Sequence, residues 1–136
     1  MFRTLSLFFL FLLLCSSAFT QQTWKSVTAE RFYLLIHNEH AFLIDCRIPE
    51  KYEQDRIEGA FHAADKEQLL ALTDTLDKSL PVVVYCDYGD RSETVCEILT
   101  NDKGFSDVYN LDEGLDEWKK VGLPIDTTML KKEENH

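Results

Sequence analysis

The feature that most constrains this chain is a continuous apolar run at 81–85, Pro-Val-Val-Val-Tyr, which leads directly into a polar loop and a helix-like pattern. A strand that is apolar at every position is typical of the buried centre of a parallel sheet. Shorter strand-like runs lie at 41–45 and 108–111, and 59–63 reads as a turn with a brief strand. Because helical patterns separate these runs, the sequence predicts an α/β fold with a mostly parallel sheet covered by helices on both faces.

The expected helices carry their own start and stop signals. Thr28 can cap a helix over 29–37, and Gly104 ends a helix over 92–102. Further helices are expected at 49–54, at 65–76 and from 115 onward. The expected core positions of the 65–76 helix are Leu69, Leu70, Leu72 and Leu76.

The loop after the central strand, Cys86-Asp87-Tyr88-Gly89-Asp90-Arg91-Ser92, is the candidate active site. Sites in parallel sheets lie at the carboxyl ends of strands, which is where this loop begins. A loop that enters a helix can aim several backbone N–H groups at one point and so favour a cysteine thiolate. Gly89 permits a tight turn, and Arg91 can reach an anion. By itself, the spacing from Cys86 to Arg91 also fits a buried cysteine followed by an arginine in the first helical turn.

The first twenty residues have the pattern of a secretory signal peptide. Arg3 precedes an apolar stretch at 5–14, and the small residues Ser16, Ser17 and Ala18 follow. A bilayer span needs about 20 residues, so a membrane anchor fits this stretch less well. The sequence therefore predicts an exported, periplasmic or secreted protein. Its expected organisation is a signal peptide at 1–20, one domain at 24–125 and a flexible tail at 126–136.

Charge and cysteine content exclude several functions. The chain has a formal net charge of −10, so it should repel nucleic acid and anionic membrane surfaces. Removal of the signal peptide leaves Cys46, Cys86 and Cys96, an odd number that does not make a disulfide framework. There is no Cys-x2-Cys pair or His/Cys cluster at metal spacing, so we expect no metal and no cofactor.

Several segments, in order along the chain, share the pattern of one family. They are the Phe-Leu-Ile-Asp-Cys-Arg segment at 42–47, the Asp-Arg-Ile-Glu-Gly-Ala segment at 55–60, the Cys86 loop, and the segment at 108–124 with Gly114 and Trp118. On these motifs, the chain resembles the rhodanese-like domain family over 24–125. The resemblance implies a five-stranded, mostly parallel sheet with helices on both faces.

The same resemblance implies sulfur transfer. The Cys86 thiolate would take a sulfane sulfur from a donor, hold it as a persulfide and pass it to a thiol or cyanide acceptor. Four residues separate Cys86 from Arg91, whereas related phosphatases use five to fit a phosphoryl group, so this loop suits the smaller sulfur. The implied partners are a small sulfur donor or a protein thiol or persulfide, and a monomer without a membrane span is expected. The implied substrate-binding residues are Asp87, Tyr88, Gly89, Asp90, Arg91 and Ser92, with Asp45, Arg47 and Arg56 as supporting residues.

The chain departs from the family pattern mainly in charge. Asp87 stands where many active members have a basic residue, and Asp90 adds a second negative charge. Thiosulfate carries two negative charges, so we predict weak use of thiosulfate and better use of a neutral or protein-borne donor. Arg91, with Arg47 or Arg56, would offset part of the repulsion.

Two other functions remain open at this point. The loop could serve a non-catalytic binding module that recognises an anionic or thiol group of a partner. The chain could also be a thiol redox protein, with Cys46 or Cys96 as the resolving partner of Cys86. The resemblance places the strands of Cys46 and Cys86 side by side, within disulfide distance, but leaves open which face each side chain takes. Cys96 and Trp118 are expected to be core residues.

Overall fold

The computed structural model describes residues 24–128, in which strands and helices alternate. The strands are β1 (Trp24–Val27), β2 (Phe42–Asp45), β3 (Phe61–His62), β4 (Val82–Tyr85) and β5 (Val108–Leu111). The helices are α1 (Ala29–Asn38), α2 (Pro49–Gln54), α3 (Lys66–Thr73), α4 (Asp90–Glu97) and α5 (Gly114–Lys120). A π-helical turn, Ile98–Asp102, continues α4. The signal peptide predicted at 1–20 and positions 129–136 of the predicted tail lie outside the described residues.

The five strands form one parallel sheet in the order β1-β5-β4-β2-β3. The central strand β4 pairs with β2 on one side and with β5 on the other. All four of its residues are buried, as a continuous apolar run requires. The prediction of a five-stranded parallel sheet is thus confirmed.

Two hydrophobic clusters divide the core, because successive side chains of a strand point to opposite faces of the sheet. Val82 and Val84 belong to the cluster that contains Leu99. Val83 belongs to the cluster that contains Trp118. Helices therefore cover both faces, and the Cys86 loop leaves the sheet between two packed layers.

The helix starts follow local capping chemistry. The Thr28 side chain accepts a hydrogen bond from the backbone N–H of Arg31 at 3.3 Å, as predicted for the start of α1. The Asp65 carboxylate accepts from the backbone N–H of Gln68 at 2.8 Å. Asp65 is therefore the cap of α3, and the helix is shorter than the predicted 65–76. Among the expected core positions of α3, Leu69 is buried, whereas Leu70, Leu72 and Leu76 are partly buried.

Both ends of the described chain pack against the domain in ways the sequence did not predict. The edge strand β1 lies at 24–27, where only Trp24 is fully buried. At the other end, the backbones of Arg56 and Asp126 form an antiparallel bridge. The nitrogen–oxygen distances of its two hydrogen bonds are 3.0 and 2.8 Å. The ordered domain thus extends past position 125 into the predicted tail.

Within residues 24–128, every helix is too short or too polar to span a bilayer. The same residues bring together no group of three or more His, Cys, Asp or Glu side chains that could hold a metal ion.

Candidate active site

Cys86 stands directly after β4, and the following loop wraps around its sulfur. The backbone N–H of Gly89 donates to Sγ at 3.1 Å, and that of Ser92 donates at 3.4 Å. The Ser92 hydroxyl lies 3.3 Å from the same sulfur. The side chain is almost fully buried, with 2% of Cys86 exposed. The geometry is that of a cradle for an anionic sulfur, as the strand–loop–helix pattern predicts.

These donors favour the thiolate. The pKa of Cys86 is lowered to about 5, chiefly by its interaction with the neighbouring Cys46 side chain and then by the hydroxyl and the backbone N–H of Ser92. The Cys46 thiol itself lies within hydrogen-bond distance of the Tyr85 carbonyl oxygen and donates to it at 3.3 Å. Burial acts in the opposite direction, since it disfavours the charged form. At neutral pH, Cys86 is therefore a thiolate, which is the nucleophilic form of cysteine.

Cys46 lies beside Cys86 at the end of the neighbouring strand β2. The paired residues Asp45 and Tyr85 precede them, and the Cys46 N–H donates to the Tyr85 carbonyl at 3.0 Å. The two cysteines belong to one hydrophobic cluster, so their side chains share one face of the sheet. The pKa of the Cys46 thiol is raised, first by its interaction with the Cys86 side chain and then by burial. The cysteines in the described part of the chain are free thiols.

Close approach to α5 fixes the position of the loop. The first backbone N–H groups of α5 donate to the loop's carbonyl oxygens, from Leu115 to Cys86 at 2.9 Å and from Asp116 to Asp87 at 3.1 Å. Gly114 has a φ of +66°, and a Cβ there would come within 2.4 Å of the Asp87 carbonyl oxygen. Only glycine at this position allows the helix to reach the loop so closely.

Asn110 is a further positioning residue that the sequence did not reveal. Its side chain is fully buried, and its amide donates to the Gly89 carbonyl at 3.0 Å and to the Ser26 hydroxyl at 3.1 Å. The Ser92 hydroxyl donates to its amide oxygen. Asn110 thus ties both ends of the loop's turn to β5. The signal that could have identified it is a polar residue in an otherwise apolar strand.

A cavity of about 290 Å³ opens above the Cys86 sulfur. It is lined by Arg47, Ile48, Lys51, Cys86, Asp87, Tyr88, Asp90 and Arg91. Three cationic side chains therefore face two aspartates around the cavity. Asp87 lies 3.7 Å from the Arg47 guanidinium, whereas Asp90 approaches the Cys86 sulfur to 3.9 Å. The charge of Asp87 is thus partly balanced, and Asp90 is the acidic group that lies against the nucleophile.

Asp45 and Arg47 form a buried ion pair that braces this cavity. The Arg47 guanidinium contacts the Asp45 carboxylate at 2.7 Å and the Asp55 carboxylate at 3.1 Å. The Tyr85 hydroxyl also donates to Asp45 at 2.7 Å. The pair thus joins the end of β2 to the end of β4 beside the cavity.

Arg56, one of the three predicted supporting residues, does not reach the cavity or the Cys86 loop. Its guanidinium lies 4.8 Å from the Tyr52 ring and 3.5 Å from the Asp126 carboxylate. It therefore holds the last described segment of the chain instead of contributing charge near Cys86. Of the arginines considered as counter-charges to the loop, Arg47 and Arg91 line the cavity and Arg56 does not.

Comparison with known proteins agrees with this architecture. Residues 28–121 match the family model described as the Rhodanese-like domain. The protein named thiosulfate sulfurtransferase GlpE of Actinobacillus succinogenes is 34% identical over 104 residues, covering 76% of this chain and 92% of that protein. The GlpE protein of Glaesserella parasuis is 30% identical over 106 residues, covering 78% of this chain and 96% of that protein.

Solved structures have the same fold. The crystal structure of the Alr3790 protein from Anabaena sp. superimposes with a TM-score of 0.63 at 28% identity, covering 81% of this chain and 99% of that one. A rhodanese-like domain protein from Staphylococcus aureus has a TM-score of 0.60 at 23% identity, covering 75% and 98% of the two chains. At that identity, the second likeness concerns the fold alone.

Proposed function

Because this chain belongs to the rhodanese-like domain family and is a sulfurtransferase, we propose that it carries the transferred sulfur as a persulfide on Cys86. The observation that supports the proposal most directly is the cradle of donors around the Cys86 sulfur. A group of donors that stabilises a thiolate also stabilises the negative charge of a persulfide. The proposed steps use the Cys86 sulfur as the nucleophile and carrier.

The first half-reaction takes sulfur from the donor. The Cys86 thiolate attacks the sulfane sulfur of thiosulfate, the new S–S bond forms, and sulfite leaves with the electron pair of the broken bond. The charge is conserved, because a thiolate and a dianion become a persulfide anion and a dianion. The cationic side chains of Arg47, Lys51 and Arg91 line the cavity that the sulfonate part of the donor would enter.

The second half-reaction passes the sulfur on. An acceptor thiolate or cyanide attacks the outer sulfur of the persulfide, and the Cys86 thiolate leaves. The low pKa of Cys86, about 5, makes it a good leaving group at neutral pH. The same property thus serves both halves of the reaction, since the thiolate attacks in the first and departs in the second.

The choice of donor is a finer part of the proposal. The curated relatives are named for thiosulfate, and the cations around the cavity favour a small anion. Asp90 opposes that preference, because its carboxylate lies against the sulfur that the donor must approach. We therefore expect thiosulfate to be used less efficiently than a neutral persulfide donor or a protein-borne one.

Rapid trapping tests the persulfide. The protein is mixed with thiosulfate, alkylated at once and mapped by mass spectrometry, and thiocyanate formation is followed in a parallel assay with cyanide. We expect one added sulfur on the Cys86 peptide and steady thiocyanate production. Cys86→Ser should lose both, while the matched variant Cys96→Ser should keep both. Thiocyanate production by Cys86→Ser at the unmodified rate would refute this mechanism, and a folded protein without any adduct would favour a binding module.

Export is a separate proposal that rests on the amino-terminal pattern. An apolar stretch preceded by Arg3 and followed by small residues supports cleavage near position 20. Expression of the full chain in a bacterial host, followed by fractionation and intact mass measurement, tests it. The expected product is an extracytoplasmic protein that begins after Ala18 or Thr20, and a cytoplasmic protein of full mass would contradict export.

A further inference from the structure

We propose that Cys46 resolves the Cys86 persulfide when no acceptor is present, forming a Cys46–Cys86 disulfide and releasing the transferred sulfur as hydrosulfide. This inference rests on the proposed function, because it starts from the persulfide. It gives the protein a second activity, the release of sulfide in exchange for an internal disulfide. It also gives a covalent role to Cys46, whose sulfur forms no bond in the transfer reaction itself.

The first argument is the position of the two sulfurs. Cys46 and Cys86 follow directly after the register pair Asp45 and Tyr85 on adjacent parallel strands. Adjacent strands lie about 4.8 Å apart, and disulfides need Cα separations of about 4.4–6.8 Å. Both side chains lie in the same cluster on one face of the sheet. The Cys46 sulfur lies 3.3 Å from the carbonyl oxygen of Tyr85, the residue directly before Cys86. A bond between them therefore requires little movement of the backbone.

The second argument is the direction of approach. The cavity above Cys86 is the space into which a persulfide's outer sulfur would extend, and Cys46 does not line it. Cys46 instead lines a separate cavity of about 320 Å³, which Cys86 does not line. Cys46 thus lies outside the space that the outer sulfur would enter. Attack by Cys46 on Sγ of Cys86 would therefore displace the outer sulfur into the cavity on the side of the loop.

The step balances without an added oxidant. The Cys46 sulfur attacks Sγ of Cys86, the bond between Sγ and the outer sulfur breaks, and the outer sulfur leaves with that electron pair. The proton of the Cys46 thiol passes to the departing sulfur, so a thiol and a persulfide anion become a disulfide and hydrosulfide. The persulfide also holds its negative charge one bond farther from Cys46 than the thiolate does, which weakens the main cause that keeps the Cys46 proton in place.

The cavity on the Cys46 side provides a route for return to the reduced state. Its apolar lining includes Leu69, Val95 and Ile98, and Lys66 and Arg91 also line it. A low-molecular-weight thiol that enters there attacks the Cys46 sulfur and displaces the Cys86 thiolate, which leaves easily because of its low pKa. A second thiol then completes the reduction and leaves as the other half of a small disulfide. One turnover thus converts thiosulfate and two thiols into sulfite, hydrosulfide, a small disulfide and one proton.

The test follows the fate of the persulfide in the full chain with thiosulfate but without cyanide or thiols. Hydrosulfide is measured over time, and samples are mapped without reduction. We expect about one equivalent of hydrosulfide per protein and a cross-linked Cys46–Cys86 peptide. Cys46→Ser keeps a hydrogen-bond donor beside Cys86 but has no sulfur to form the bond. It should therefore form the persulfide, retain it and release at least about tenfold less hydrosulfide.

The controls separate this inference from the proposed function. Cys96→Ser should behave like the unmodified protein, because Cys96 lies on α4 and contributes no donor to Cys86. A persulfide that persists in the unmodified protein, with Cys46 free, would overturn the resolving role and leave the transfer mechanism intact. Equal release by Cys46→Ser would also overturn it. The absence of a persulfide in every variant would overturn both proposals.

Discussion

Cys86 and Cys96 are both buried in the same hydrophobic cluster, yet their surroundings push the two thiols in opposite directions. Around Cys96, on α4, burial raises the pKa, and the charge of Glu93 adds to the effect. Around Cys86, burial also raises the pKa, but the interactions with Cys46 and Ser92 outweigh burial and lower the pKa to about 5. Burial alone thus makes a cysteine inert, and a set of aimed donors makes a buried cysteine reactive.

The largest expected difference is in reactivity toward an alkylating reagent. At pH 7, Cys86 is almost entirely thiolate, whereas a thiol with a raised pKa is less than about 1% thiolate, so Cys86 should react at least about 100-fold faster. The rate at Cys86 should fall as the pH falls through about 5, because the thiolate then takes up its proton, and should be constant above about pH 7. Pulsed alkylation with peptide mapping measures both rates. Comparable labelling of Cys96 in folded protein would contradict the comparison.

A smaller effect, on the free energy of unfolding, should follow from Gly114→Ala, because this substitution moves the Cys86 loop away from α5. The added Cβ meets the Asp87 carbonyl and disrupts two backbone hydrogen bonds from α5 to the loop, at a cost of about 2 kcal/mol beyond the strain of a positive φ. Gly104→Ala is the matched control, since Gly104 has a φ of +73° and nothing within 4 Å of the added Cβ. Urea unfolding of both variants gives the difference, and equal destabilisation would show that the contact with the loop is unimportant.

Each neighbour that lowers the pKa of Cys86 should account for part of the decrease. Cys46→Ala removes the largest cause of the lowered pKa and should raise the pKa of Cys86 from about 5 to about 6. At pH values below about 5, the thiolate population should then be about tenfold smaller. Cys46→Ser retains a donor and should stay nearer to the original value. The pH dependence of alkylation measures the change. An unchanged profile in Cys46→Ala would mean that the loop alone holds the thiolate.

The smallest expected effect concerns the two aspartates of the loop. Asp90→Asn should raise kcat/KM for thiosulfate about threefold at low salt, because it removes one negative charge near the sulfur. Asp87→Asn should have less effect, since Arg47 already faces that carboxylate at 3.7 Å. Salt should reduce both gains, and a neutral persulfide donor should respond to neither. A larger gain from Asp87→Asn would reverse the order that the geometry predicts.

Local signals predicted much of this fold. The continuous apolar run identified β4, the cap at Thr28 marked the start of α1, and the Cys86 loop followed from its place between strand and helix. These features depend on neighbours close in sequence. For the same reason, the edge strand β1 was missed, because its short run contains one fully buried residue and pairs only with distant β5.

The site was harder to predict because its decisive contacts are long-range. Asn110 and Cys46 reach the loop from neighbouring strands, and their roles depend on register and on which face each side chain takes. Sequence spacing sets neither of these. The ion-pair partners of the arginines could not be predicted for the same reason. Arg47 faces Asp87, whereas Arg56, an equally plausible partner in the sequence, pairs with Asp126.

The order of the strands also determines when the chain can fold. No pair of neighbouring strands in the sheet is joined by a hairpin, and β1 pairs with the last strand, β5, so that Ser26 and Asn110 meet across 84 residues of sequence. To form such distant pairings, the chain must first close a long loop, and the entropy lost in closing it precedes any gain in stability. Folding is therefore slow. During synthesis, β1 has no partner until the chain has grown past Leu111. The anchoring of the Cys86 loop by Asn110 is therefore among the last contacts that a newly made chain can acquire.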